Sequence, residues 1–262
     1  MAVVTVVDDD AQLAETGARR ITTLIELAVA ARESAVICLT GGRTPERLYR
    51  TLADAREPWR ARIDWTRVHV FWGDERHVPP DHPDSNFGLA YRTLLSRVPI
   101  PPAQIHRIEG ELPDAREAAR KYEAEVRDRT FDVELLGVGD DAHIASIFPG
   151  SPLLQGRGAG LDGPPRGPQG SAPHVAAICV AAIWVEHLKT WRITLTPPAL
   201  LDARAILVNA SGPQKADAVR AALALAEDVT RYPAQMLRSA GDRVEWIIDR
   251  AAARSLRAPL AQ

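Results

Sequence analysis

Residues Phe131–Pro152, FDVELLGVGDDAHIASIFPGSP, say more about the fold than any other stretch of the chain. The run from Phe131 to Val138 is apolar and has the length of a buried strand. It empties into a turn holding Gly139, two carboxylates (Asp140, Asp141) and His143. Open α/β sheets bind ligands at the carboxyl ends of their strands. A histidine flanked by acids in that position is suited to moving protons near neutral pH.

Outward from this stretch the same plan recurs. Val3–Val7, Ala35–Leu39, Val68–Trp72, Val175–Val180, Trp191–Leu195, Ala205–Asn209 and Val244–Asp249 read as further strands. Helices are expected over Ala11–Arg32 (with Asp8 to Asp10 as caps), after TGGRTP through Leu52, over about Asn86–Ser96, over Asp114–Arg129, from near Gly212 and after Asp249. Strands alternating with helices predict a single-domain α/β fold over residues 1–262, a doubly wound, mostly parallel sheet with helices on both faces. Gln155–Pro173 (QGRGAGLDGPPRGPQGSAP) is dominated by Gly and Pro and reads as a mobile excursion within that domain.

Composition narrows the function classes. The net charge is −2, so no global field recruits nucleic acid or an anionic membrane, and any anion site is local. The two cysteines, Cys38 and Cys179, lie in apolar runs and read as small core residues rather than a disulfide or a metal site. No segment reaches the roughly 18 apolar residues of a membrane span, and the N-terminus lacks a signal-peptide pattern. A cytoplasmic protein is expected.

Three further strand-to-helix turns carry polar chemistry. In TGGRTPERLY, Gly41 and Gly42 let backbone N–H groups approach a ligand, Thr44 is a natural N-cap and Pro45 suits the first helical turn. Free N–H groups at a helix N-terminus favour an anion, phosphate above all. The motif is neither a Walker loop nor G-x-G-x-x-G. In GDERHVPPDHPDSNFG, read as a long polar loop, Arg76 offers a bidentate clamp for phosphate, with Asp74 and Glu75 holding that arginine or meeting sugar hydroxyls. His77, Asp81 and His82 make a poor metal set, because the intervening prolines forbid helical i,i+4 ligation and no thiolate assists. In SGPQKADAV, Lys215 sits in a first helical turn, where a lysine is unfavourable unless an anion is present. Arg192 lies in the strand WRITL, where an arginine suits an edge.

Taken together, LTGGRTPERLY, FWGDERHVPPDHPDSNFGLAYRTLL, FDVELLGVGDDAHIASIFPGSP, WRITLTPPALLDARAILV and GPQKADAV resemble the bacterial-type 6-phosphogluconolactonase family, which shares a modified Rossmann fold with glucosamine-6-phosphate deaminases. The resemblance implies hydrolysis of 6-phospho-D-glucono-1,5-lactone to 6-phospho-D-gluconate in the oxidative pentose phosphate pathway, with no cofactor and no metal. It implies a small-molecule partner only, no nucleic acid or membrane, and a monomer or small homo-oligomer. It places the catalytic histidine on His143, its neighbouring acid on Asp141, and phosphate and sugar contacts on Gly41, Gly42, Thr44, Asp74, Arg76, Arg192 and Lys215.

The chain departs from the family text D-G-H-T-A-S, reading DAHIAS: Ala142 replaces a glycine, a strained choice if φ is positive there. The alternative readings are an amino-sugar-phosphate isomerase or deaminase, and a non-catalytic sugar-phosphate sensor. Against the first, the deaminase turn H-I-A-F-N-E-P-G-S aligns with HIASIFPGS, so its glutamate falls on Phe148. Against the second, no basic helix-turn-helix is visible.

Overall fold

The structure, a computed structural model, describes residues 2–155 and 178–256. Nine strands alternate with helices: β1 (Val3–Val7), α1 (Asp10–Arg32), β2 (Ala35–Leu39), α2 (Arg43–Ala53), α3 (Pro58–Arg62), β3 (Val68–Trp72), β4 (Asp74–Arg76), α4 (Asn86–Thr93), α5 (Ala115–Val126), β5 (Val133–Gly137), β6 (Val180–Val185), β7 (Thr190–Leu195), α6 (Pro197–Leu201), β8 (Ile206–Ala210), α7 (Ala216–Ala224), β9 (Val244–Asp249) and α8 (Arg250–Ala253). Six of the strands form an all-parallel sheet in the order β1-β9-β8-β5-β2-β3. This is the mostly parallel α/β sheet expected. The central strands are continuous apolar runs because both faces are covered; β8 is buried along its whole length. Helix α1 buries one stripe, including Leu13, Gly17, Ile21, Ile25 and Ala28, at the spacing of a helical face.

Several elements differ from expectation. The segment after β3 is not simply a loop: Asp74–Arg76 form β4, which pairs antiparallel with β7, and β7 pairs antiparallel with β6. This second, three-stranded sheet has the order β4-β7-β6, so Arg192 lies on its central strand, not on an edge. Short alternating runs with a single glycine between β3 and β4 hide the change of sheet from a periodicity reading. Helix α4 stops at Thr93, where Leu94 leaves helical geometry (φ −131°), and Leu95–Arg97 form a 3-10 turn. The strand expected over 175–180 starts at Val180 instead and runs to Val185; residues 175–177 and all but the first residue of the Gly/Pro-rich segment lie outside the described residues. Among the described residues no helix is long and apolar enough to cross a membrane.

Two buried tyrosines close the backbone where β2 and β3 leave the sheet. Tyr49 Oη donates to the Thr40 carbonyl (2.6 Å) and accepts from the Thr40 N–H (3.0 Å). Tyr122 Oη donates to the Trp72 carbonyl (2.9 Å) and accepts from the Trp72 N–H (2.7 Å). Buried backbone groups must find partners, and these hydroxyls supply them as each chain turns toward the site. The neighbours of β2 are β3 on one side and β5 on the other, so the turns after β2 and β5 border a crevice at a topological switch point.

One core group has no such partner. Glu134, in the middle of β5, is fully buried, and neither carboxylate oxygen has a hydrogen bond in the geometry. Its backbone is opposite Cys38. Burial pushes its carboxyl up to about 8, opposed by the Cys38 thiol and aided by the Asp74 charge. The folded protein therefore holds a proton below about 8 that the unfolded chain releases above its ordinary value of 4.5. Folding takes up a proton in that window, so this group makes stability fall as pH rises, by up to about 1.4 kcal/mol per pH unit. Urea unfolding of wild type and Glu134→Leu across pH 5 to 8 should show the variant gaining stability relative to wild type as pH rises; parallel curves would refute the neutral buried acid.

Candidate active site

The ends of β2 and β5 and the start of α7 open onto a cavity of about 470 Å³. Gly41, Gly42, Asp74, Arg76, Asp141, His143, Arg192 and Lys215, distant in sequence, all line it. Thr44 does not. It lines an adjoining cavity that shares Gly41, Gly42 and Lys215. Nor is Thr44 the cap of α2: the N-cap is Gly42 (φ 108°), without a side-chain cap. A positive φ suits glycine there, and the helix begins at Arg43, two residues earlier than a Thr44 cap would start it.

The turn after β5 builds an aspartate–histidine unit. The Gly139 N–H donates to the His143 carbonyl (2.9 Å), closing the turn. Asp141 Oδ1 accepts from the His143 backbone N–H (3.1 Å) and lies 2.6 Å from its Nδ1. With Nδ1–H donating to Asp141, the ring's Nε2 is left as its free acceptor. Partial burial pushes the Asp141 carboxyl up, but hydrogen bonds from the His143 ring and backbone, with the imidazolium charge, outweigh it and hold it at about 2. The imidazole folds back over Gly139, where a Cβ would come within 2.0 Å of Nδ1. Ala142 does adopt positive φ (66°), the geometry in which the family's glycine would be unstrained.

The facing wall comes from the second sheet. The Asp74 carboxylate is buried. It accepts from Ser146 Oγ (2.6 Å) and Asn86 Nδ2 (3.0 Å), tying the His143 turn and α4 to β4. Glu75, also buried, accepts from the N–H groups of Arg76 (2.8 Å), Asn86 (2.7 Å) and Phe87 (2.8 Å) and from Ser85 Oγ (3.0 Å). Burial pushes its carboxyl up while these backbone donors oppose the shift. Neither acid holds the Arg76 side chain, contrary to expectation. Glu75 instead occupies the N-terminus of α4, so that helix end is closed to an outside anion. Asn86 and Ser146, not named as site residues from the sequence, line the cavity; their signals were the serine–asparagine pair after the GDER turn and the serine that ends DAHIAS. Gly41 owes its glycine to Asn86, whose Oδ1 would lie 1.7 Å from a Cβ there.

The cations divide into two kinds. Arg76 and Arg192 are register partners across β4 and β7, and both are half-buried. Arg76 donates to the Asp84 carbonyl and Arg192 to the Trp191 carbonyl (3.4 Å). Among the described residues neither has a carboxylate ion-pair partner. Burial, then the nearby Arg76 charge, pushes the Arg192 guanidinium down from its usual range. Lys215 closes a 3-10 turn and caps α7, and its Nζ pairs with Asp140 Oδ1 at 2.7 Å. Lysine is thus internally neutralised, whereas the arginine pair is not.

An acid-oriented histidine in the turn after a strand of the parallel sheet thus shares one cavity with two uncompensated arginines of the small antiparallel sheet. Comparison with known proteins gives the family of the chain. A family model described as glucosamine-6-phosphate isomerases/6-phosphogluconolactonase matches residues 8–246. A 6-phosphogluconolactonase of Synechocystis is 34% identical over 251 residues, covering 90% of this chain and 91% of its own. One from Streptomyces coelicolor is 36% identical over 265 residues, covering 95% and 92%. The solved 6-phosphogluconolactonase of Trypanosoma brucei superposes with a TM-score of 0.78 at 27% identity, covering 98% of this chain and 99% of that one. The chain belongs to the glucosamine-6-phosphate isomerase/6-phosphogluconolactonase family.

Asp74→Ala leaves buried Ser146 Oγ without its carboxylate acceptor and takes from Asn86 Nδ2 one of two, the Asp74 carbonyl remaining. It should cost about 2–4 kcal/mol of stability by urea unfolding, with Asp74→Asn recovering much of it. Equal stability of wild type and Asp74→Ala would remove Asp74 as the tie between the two walls.

Proposed function

We propose that this chain hydrolyses 6-phospho-D-glucono-1,5-lactone to 6-phospho-D-gluconate in the oxidative pentose phosphate pathway. The observation that carries the reading is His143, oriented by Asp141, lining the same cavity as the arginine pair Arg76 and Arg192. The lactone's 6-phosphate sits on the two guanidinium groups, where a dianion relieves their mutual repulsion. Lys215, already paired with Asp140, and the Gly41–Gly42 turn make the secondary contacts. Binding at the phosphate fixes the ring carbonyl beside His143.

Nε2 of His143 takes a proton from water as the water oxygen attacks C1, and the carbonyl becomes an oxyanion. Backbone N–H groups of the 137–143 turn are its donors. Collapse breaks the bond from C1 to the ring oxygen, which receives the proton back from the imidazolium. Asp141 stabilises that cation throughout. The sister deaminase chemistry calls for a carboxylate at the position of Phe148; here a phenyl ring packs 4.4 Å from the imidazole and has no proton to exchange.

The test is formation of 6-phosphogluconate from freshly generated lactone above the spontaneous rate. His143→Ala should lower kcat by about 10²–10⁴-fold with little change in KM, the range for losing a general base. Near-normal turnover in that variant would take His143 out of the mechanism. Arg76→Ala should raise KM for the phosphorylated lactone by roughly 10–100-fold, the worth of a charge-assisted hydrogen bond, and leave gluconolactone hydrolysis almost unchanged. Equal losses on the two lactones would count against the arginine as the phosphate seat.

A further inference from the structure

Phe148 touches a second imidazole besides that of His143. Its ring centroid is 5.3 Å from that of His187, with the planes at 77°. His187 lines the same cavity. It sits in the 3-10 turn Glu186–Leu188 that joins β6 to β7. The turn is braced from both sides: Trp184 Nε1 donates to Glu186 Oε2 (2.7 Å), Lys189 pairs with Glu186, and the Trp184 and Trp191 rings meet edge to face at 5.8 Å. A firm hairpin tip therefore presents the imidazole. His187 itself is exposed and has no hydrogen bond or ion pair among the described residues. A structural histidine would have a partner. This one lines the cavity with neither ring nitrogen bonded among the described residues.

Its position along the wall indicates what it meets. Ile183 is opposite Arg192, and Val185 is opposite Thr190. The turn begins one residue beyond Val185, so its base stands two strand rises, about 7 Å, past the arginine pair. At the same time His187 shares Phe148 with His143. In the six-membered lactone the ring oxygen joins the carbonyl carbon C1 to C5, which carries the phosphate arm, and C2, C3 and C4 with their hydroxyls form the other edge of the ring. A residue displaced from the phosphate seat and sharing Phe148 with the general base meets the edge of the ring that runs on from the carbonyl through C2, away from the phosphate arm. The groups there are uncharged hydroxyls, and a neutral imidazole, one donor and one acceptor, matches a hydroxyl.

Resting on the lactonase reading above, we propose that His187 is a specificity-determining, substrate-binding residue that hydrogen-bonds a ring hydroxyl on the C2–C4 edge of the lactone. It reads the sugar, while Arg76 and Arg192 read the phosphate.

The experiment is steady-state kinetics of wild type, His187→Ala and His187→Asn on 6-phosphogluconolactone and on gluconolactone. His187→Ala should raise KM about threefold to tenfold, the worth of one neutral hydrogen bond, on both lactones, with kcat nearly constant. His187→Asn, which keeps a donor and an acceptor, should recover a large part. An unchanged KM in His187→Ala, a rise confined to the phosphorylated lactone, or an asparagine variant no better than alanine would each overturn the assignment. If wild type does not accelerate lactone hydrolysis, the reaction assignment falls on its own, and calorimetric titration with 6-phosphogluconate and glucosamine 6-phosphate decides the residue. Affinity lost in His187→Ala and regained in His187→Asn upholds the contact, and equal Kd values in all three proteins reject it.

Discussion

Two adjacent buried carboxylates hold this site together. Asp74 and Glu75 follow β3 after a single glycine, and at that glycine the chain crosses from the parallel sheet into the small antiparallel one. Burying two acids side by side is unfavourable unless each is supplied with donors. Each carboxylate therefore gathers its surroundings: Asp74 takes Ser146 from the histidine turn and Asn86 from α4, and Glu75 takes the first N–H groups of α4. The result fixes three separate elements relative to one another. It also explains why Gly41 can carry no side chain, since Asn86, drawn in by Asp74, occupies the space.

Against that scaffold the charges of the cavity sort by whether they are already satisfied. Lys215 has Asp140, and the end of α4 has Glu75. The pair Arg76 and Arg192 has only carbonyl partners and faces itself across two strands. Like charges held together in a half-buried setting are stabilised by an anion that bridges them, which is why the proposed phosphate seat is this pair and not Lys215. The histidine turn is prepared in the complementary way. Its backbone conformation, with Ala142 at φ 66° and Gly139 beneath the ring, holds the imidazole against Asp141 before any substrate arrives.

Much of this was legible in the chain. Strands Val3–Val7, Ala35–Leu39, Val68–Trp72 and Val244–Asp249 fall where their β-branched runs begin and end. The Asp141–His143 unit is a local motif two residues apart, and it forms from local geometry. The turn residues Gly41 and Gly42 were legible as glycines, but for a partly different reason: Gly42 needs its positive φ, whereas Gly41 makes room for Asn86. The three-residue strand Asp74–Arg76 was not legible, because so short a segment has no periodicity and becomes a strand only by pairing with β7 more than a hundred residues away. His187 carried no signal at all, since an isolated histidine in a short connection acquires meaning only from what it faces.

The sequence by itself determined the parallel α/β architecture, the turn after β5 and the pairing of Asp141 with His143 within it. These follow from hydrophobic patterning and from residues close together in the chain. Only the tertiary structure decided which charges are neutralised, which acids are structural and which side chains share the cavity. Those properties depend on distances between residues remote in sequence, and neither composition nor periodicity contains such distances.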